Sequence, residues 1–171
     1  MAATDLYDLC RELLEASADA LALGTTGAPS RQFVSAGMPA FDCEQLTVHA
    51  GGTTEAYTLP VEPPMQPGLR ASTTAAVNLV QMTVTIIRCA TVQQNTKQSP
   101  PAASLDQDAQ KTLADLWVIW NHLYTLKKAD TLFPPDHRHM FFDPAVALPI
   151  QGGMAGWEIP FRVQLGGYRT S

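Results

Sequence analysis

Apolar positions recur at helical spacing from about residue 5 to residue 23. Leu6, Leu9, Cys10, Leu13, Leu14 and Leu21 fall on one stripe, with Arg11, Glu12, Glu15 and Asp19 on the polar face. Thr4 stands where an N-cap belongs, Asp5 and Asp8 suit the positive first turn, and Gly24 suits a left-handed stop. A second helical pattern opens at Ser104, where Ser104 and Gln107 have the spacing of a capping box. Asp106 and Asp108 sit at its positive end, and Lys127 and Lys128 sit near its negative end. Its apolar stripe is Leu113, Leu116, Trp117, Trp120, Leu123 and Tyr124, which makes Trp117 and Trp120 the expected core anchors.

Elsewhere the period is two. A short β-prone piece spans Arg31 to Ser35. From Cys43 to Ala50, Leu46 and Val48 share one face, and Gln45, Thr47 and His49 share the other, before Gly51-Gly52 breaks the pattern. Thr73 to Val92 carries the densest run of Thr, Val and Ile, with Val80, Met82, Val84 and Ile86 alternating against Gln81, Thr83 and Thr85. Trp157, Ile159, Phe161, Val163 and Leu165 alternate in a last strand. Pro160 has no N–H for the ladder, so that strand reads as an edge or as bulged. Residues 53–70 hold Pro60, Pro63, Pro64 and Pro67 and read as a projecting arm with at most one edge strand near Tyr57 to Leu59. Residues 129–156, with Pro134, Pro135, Pro144 and Pro149, read as a second long loop. The expected fold is α+β: one domain over residues 1–171, with a mainly antiparallel sheet, two amphipathic helices packed on one face, and long Pro-rich loops.

Composition narrows the classes. Charged residues are only 16% of the 171 positions, against about 25% in an ordinary domain. A surface short of charge is poorly defended against association, which favours a life in contact with partners. Eleven basic and sixteen acidic residues give a net charge of −5, so a whole-domain basic footprint for nucleic acid is missing. No apolar run approaches the roughly 18 residues of a membrane span. The start, Met1-Ala-Ala-Thr-Asp-Leu6, has no basic region leading into an apolar one, so a signal peptide is not expected. Cys10, Cys43 and Cys89 have no metal-ligand spacing and suit reduced thiols in a chain made in a cytoplasm.

Catalytic patterns are weak. Asp136-His-Arg-His139, with Asp143 nearby and His122 on the second helix, is the one metal-like cluster. The Arg between the two histidines opposes a cation. The clusters Gly24-Thr-Thr-Gly27 and Gly152-Gly-Met-Ala-Gly156 follow neither phosphate-binding order. There is no G-x-S-x-G elbow. Cys43 lies between Asp42 and Glu44, whose charges hold a thiol protonated rather than activate it. No enzyme, no cofactor and no metal site is expected.

Four stretches carry a resemblance. They are Arg31-Gln-Phe-Val-Ser-Ala-Gly-Met-Pro-Ala-Phe-Asp-Cys-Glu-Gln-Leu-Thr-Val48, Met82-Thr-Val-Thr-Ile-Ile-Arg-Cys89, the helix opening Ser104-Leu-Asp-Gln-Asp-Ala-Gln110 with Trp117 and Trp120, and Gly152-Gly-Met-Ala-Gly-Trp157 before an alternating strand. Together, over about residues 5 to 166, they resemble the neck proteins of long-tailed actinobacterial phages, most closely the tail terminators. The resemblance implies an α/β fold with helices on a mainly antiparallel sheet. It also implies a structural virion protein at the head–tail junction, made in the host cytoplasm. Six copies would form a ring that caps the tail tube and joins tail to head. The implied partners are further copies of the chain, tail-tube protein and head–tail connector proteins, with no membrane. DNA would pass through the lumen without specific binding, and an acidic lining repels phosphate. Asp42, Glu44 and Glu158 are candidates for that lining. Tyr57, Leu59, Val61, Met65 and Leu69 are candidates for contacts between subunits, since a lone monomer would hide them poorly. Three alternatives stand beside this one: another neck component (a head–tail stopper or connector-completion protein), a tail-tube subunit, and a small metal-dependent hydrolase using His137, His139 and Asp143.

Overall fold

The computed structural model describes residues 6–56, 77–91, 99–133 and 140–164. In chain order the elements are α1 (Leu6–Leu23), β1 (Arg31–Ser35), β2 (Gln45–Ala56), β3 (Val77–Cys89), α2 (Ala102–Lys128), β4 (Met140–Phe142), β5 (Val146–Gln151) and β6 (Met154–Gln164). The strands form one sheet in the order β1-β2-β3-β6-β4, and β5 also pairs with β6. Among the described residues only β1 and β2 run parallel, and every other pair is antiparallel. The expected α+β class is what the chain adopts.

Alternation along the strands decides where the core sits. Leu46, Val48, Val80, Met82, Val84, Ile86, Ile159, Phe161 and Val163 are buried on one sheet face. Both helices lie on that face. Helix α1 contributes Leu9, Cys10, Leu13, Leu14 and Leu21, and Cys10 Sγ approaches Met82 Sδ at 3.5 Å. Helix α2 contributes Ile119 and Leu123. At its far end Trp120, Tyr124, Phe142 and Phe161 pack ring against ring, with centroids 4.9 to 6.0 Å apart.

The opposite face holds Gln45, Thr47 and His49 from β2, Thr83, Thr85 and Ile87 from β3, and Glu158 from β6. Among the described residues no helix packs on it. The connection between β1 and β2 lies against it instead at Ala40 and Phe41. Phe41 borders the same small pocket as Ile87, and Gln45 Nε2 donates to the Ala40 carbonyl at 3.1 Å.

Several expectations are corrected. Strand β2 does not stop at Gly51-Gly52. A bulge between Ala50 and Gly52 shifts the register, and pairing with β3 continues to Ala56, so residues 53–56 belong to the sheet and not to an arm. The remainder of the 53–70 segment, with Tyr57, Leu59, Val61, Met65 and Leu69, lies outside the described residues. Strand β3 covers Val77–Cys89 and has ended by Ala90, short of Val92, while residues 73–76 lie outside the described residues. Helix α2 starts at Ala102 with Pro101 as N-cap and no side-chain cap, so Ser104 and Gln107 form no capping box. The 129–156 stretch is not one long loop, because it contains β4 and β5.

Strand β6 is not an edge. It pairs with β3 on one side and with β4 and β5 on the other. Pro160 is tolerated for a local reason. Its carbonyl accepts from Asp143 N at 3.1 Å, so its missing N–H, on the same side of the strand, faces the gap where β4 ends and β5 has not begun. The β3 ladder loses nothing there.

Candidate functional site

Arg88 stands near the end of β3 and points to the helix-bearing face. It is 6% exposed, and Asp115 of α2 is fully buried. Arg88 Nε donates to Asp115 Oδ2 at 2.8 Å, and Nη2 donates to Asp115 Oδ1 at 3.1 Å and to the Gly27 carbonyl at 2.6 Å. Nη1 donates to Glu44 Oε2 at 2.7 Å. Thr26 Oγ1 donates a further short bond to Asp115 Oδ1. The Asp115 and Glu44 carboxylates hold the guanidinium firmly charged, above its ordinary value, although burial opposes this. One ion network thereby ties the α1–β1 loop, the entry to β2, the end of β3 and the middle of α2 together. Glu44 reaches its place through a left-handed backbone, φ 54°, and its other oxygen accepts from Cys89 N at 3.3 Å.

Beside this network lies an open cleft of about 460 Å³, lined by Thr25, Thr26, Glu44, Arg88, Cys89, Gln107, Gln110, Lys111 and Ala114. Its charged walls are mutually compensated. Arg88 is committed to two carboxylates, which leaves Lys111 as a lining cation with no ion pair among the described residues.

The three proposed lumen carboxylates do not share one environment. Asp42 Oδ2 is bridged to Arg31 at 2.6 Å, and Glu44 is bridged to Arg88. Glu158 lies on the helix-free sheet face, across from Thr85, and its charge is felt by His49. Thr85 is four residues along β3 from Cys89, where Glu44 binds, so roughly 13 Å separates the two places at the usual strand rise. Only Glu158 has no cationic partner in an ion pair among the described residues. Thr47 Oγ1, Thr85 Oγ1, His49 Nδ1 and Glu158 Oε1 are buried there without hydrogen bonds. Burial pushes the His49 imidazole below its ordinary value, against the smaller opposing pull of Glu158.

Of the alternative metal set, His137 and His139 lie outside the described residues. Asp143 is already clamped by Arg162, with Nη2 to Oδ1 at 2.6 Å and Nε to Oδ2 at 2.9 Å. His122 is half-buried on α2. Among the described residues no group of three potential His, Cys, Asp or Glu ligands converges. No helix there is long and apolar enough to cross a membrane.

The feature misplaced by sequence reasoning is the outer face of α2. Trp117 is 66% exposed and Leu113 is 53% exposed. The buried face of the helix is Asp108, Thr112, Asp115, Ile119 and Leu123. Trp117 is therefore no core anchor, whereas Trp120 packs against the core. A second apolar group is exposed elsewhere: Met38 and Phe41 in the β1–β2 connection, with Val146 and Ile150 on β5. Phe41 borders a pocket of about 70 Å³ with Ile87, Leu148, Pro149, Met154 and Ala155. Val146 is paired with Glu158, which puts it on the helix-free side. The sequence matches no known protein-family model and no curated protein.

Proposed function

We propose that this chain is a ring-forming structural protein of the phage tail neck, a tail terminator. In this reading six copies cap the tail tube and join it to the head through tail-tube and connector proteins. The observation that carries the reading is the pair of exposed apolar surfaces on opposite sides of one sheet. Leu113 and Trp117 face outward from the helix layer, and the exposed Phe41 and Val146 lie toward the other side, where Phe41 borders Ile87 and Val146 pairs with Glu158. Two different sticky surfaces on opposite sides suit head-to-tail contact between copies, and such contacts close into rings when the rotation per step allows. The four sequence stretches that resemble tail terminators supply the identity of the ring. The 16% charged composition agrees, since little charge defends the surface. In this reading DNA passes the lumen without specific contacts, and of the three proposed carboxylates only Glu158 has no ion pair among the described residues.

The test is mass in solution combined with electron microscopy of the purified chain and of neck assemblies. Closed rings of six, each interface burying more than about 1,000 Å², are the expected result. A chain found only as isolated monomers in an assembled neck overturns the reading. Long self-stacked tubes assign the chain to the tail tube instead, and a ring lying between terminator and portal assigns it to another neck component. Stoichiometric bound zinc with hydrolytic activity, lost on His137→Ala, would favour the hydrolase.

A further inference from the structure

Two of the three cysteines meet at one end of the sheet. The β2–β3 register pairs Gln45 with Ile87, so Cys43, two residues before β2, arrives opposite Cys89. Glu44 fastens the two segments together, since its carboxylate takes both the Arg88 Nη1 hydrogen and the Cys89 backbone N–H. Cys43 Sγ lies 3.7 Å from the Gly153 carbonyl, and that same carbonyl accepts from Ala90 N, next to Cys89, at 2.7 Å. Cys43 is the strongest single influence on the Cys89 thiol, which it raises. Cys89 is exposed and borders the 460 Å³ cleft, and Cys43 is half-buried. Cys10 differs in every respect: it is buried beneath α1 against Met82.

We propose that Cys43 and Cys89 are a dithiol redox site that small disulfides oxidise to an intramolecular disulfide. The Cys89 thiol gives its proton to solvent, and its thiolate attacks one sulfur of the small disulfide. A mixed disulfide forms on Cys89, and the other half leaves as a thiolate that takes up a proton. Cys43, deprotonated in turn, attacks Cys89 Sγ. The bond between Cys43 and Cys89 forms, and the second half of the reagent departs as a thiol. Two electrons pass from the protein to the reagent, and two protein thiols plus one small disulfide become one protein disulfide plus two small thiols.

The surroundings set the rate and the direction. The contact with Cys43, burial, and the charges of Glu44 and Asp42 push the Cys89 thiol up to about 11. Its thiolate is scarce at neutral pH, so the first step is slow in a reducing cytoplasm and gains close to tenfold per pH unit until the pKa is approached. The product bond would staple the entry of β2 to the end of β3 and close the loop from residue 43 to residue 89. A chain made reduced would acquire that staple on meeting an oxidising medium. The proposal does not depend on the ring reading.

The experiment treats the native full-length protein with hydroxyethyl disulfide, an uncharged reagent, over a pH series. Acid quenching and non-reducing peptide mapping follow. The expected product is two hydrogen atoms lighter than the starting chain and carries a Cys43–Cys89 linked peptide. Cys10 should remain free until the protein is denatured, since burial pushes its thiol up to about 11 as well. Cys43→Ser should stop at a stable mixed disulfide on Cys89. Lasting mixed disulfides on both residues of the wild-type chain, a bond to Cys10, a disulfide-linked dimer, or no reaction at all would each overturn the proposal. The wild-type map decides even if the variant misfolds.

Discussion

Arg88 of β3 and Asp115 of α2 face each other as a fork on a carboxylate, with bonds of 2.8 and 3.1 Å, and both are almost wholly removed from water. Such a pair contributes little net stability compared with well-packed apolar residues, yet losing one member leaves a buried charge uncompensated. Asp115→Ala is therefore expected to cost about 3–5 kcal/mol. Glu44 and the Gly27 carbonyl remain as partners for Arg88, which places the loss toward the lower end. Urea denaturation of the variant measures it. The double variant Arg88→Met with Asp115→Leu should recover much of the loss. A loss from Asp115→Ala within the range of ordinary surface changes would mean that water reaches the pair.

Gly156 gives a second expectation. It sits where β6 presses on β3, and a Cβ there would lie 1.9 Å from the Ile86 carbonyl oxygen. That obstacle is backbone in a paired central strand, so it cannot swing aside. Gly156→Ala should cost at least the roughly 1–3 kcal/mol of overpacking, read as a lower midpoint in thermal or urea unfolding. An unchanged midpoint would show that the two strands part there without loss.

How far the fold was legible can be judged on α2. Two stripes run along it at helical spacing. Leu113, Leu116, Trp117, Trp120, Leu123 and Tyr124 make the apolar one, and Asp108, Thr112, Asp115, Ile119 and Leu123 make the one that is buried. Periodicity locates the helix but cannot choose between stripes when the buried one holds three polar residues. Thr112 bonds back to its own helix at the Asp108 carbonyl, but the two carboxylates are satisfied by partners remote in sequence: Asp115 by Arg88 and Thr26, and Asp108 by Thr91 N at 2.7 Å. No local pattern announces such partners. In α1 the buried stripe is apolar throughout except Ser17, which bonds its own helix at the Leu13 carbonyl, and there the sequence reading and the structure agree. Strands β4 and β5 escaped notice because they are short and lie among prolines, at the sheet edge where proline is admitted. The Cys43–Cys89 contact was hidden in the same way: it needs the β2–β3 register, which composition does not contain.

His49 makes stability depend on pH in a definite sense. Burial holds its imidazole below the ordinary value near 6.5, with Glu158 pulling weakly the other way. The unfolded chain therefore binds the proton more readily than the folded one. The neutral ring's contribution is complete above the unfolded value and is lost as pH falls through the lower folded value. Unfolding free energy should decline between pH 7 and pH 5, and His49→Gln should flatten that decline. A wild-type curve that rises as the medium is acidified over this window would reverse the sign and show Glu158 dominating.

Trp117 separates folding from assembly. Its ring is mostly in water, so Trp117→Ala should change the stability of the monomer by no more than about 0.5 kcal/mol, as for most surface substitutions. Trp120 stacks on Tyr124 at 5.4 Å and meets Phe142 at 5.2 Å, so Trp120→Ala should cost about 3 kcal/mol, the low end for a buried tryptophan because its burial is incomplete. In the ring reading the order inverts when assembly is measured. Trp117 is the large aromatic at the centre of the exposed α2 stripe, and such residues dominate binding when a partner covers them. Trp117→Ala, alone or with Leu113→Ala, should leave a folded chain that fails to form rings in sedimentation and microscopy. Phe41→Ser and Val146→Ser, on the other side of the sheet, should do the same if that surface is the receiving one. Rings that form normally from the Trp117→Ala, Leu113→Ala chain would remove α2 from the interface and, with it, the structural support for the proposed function.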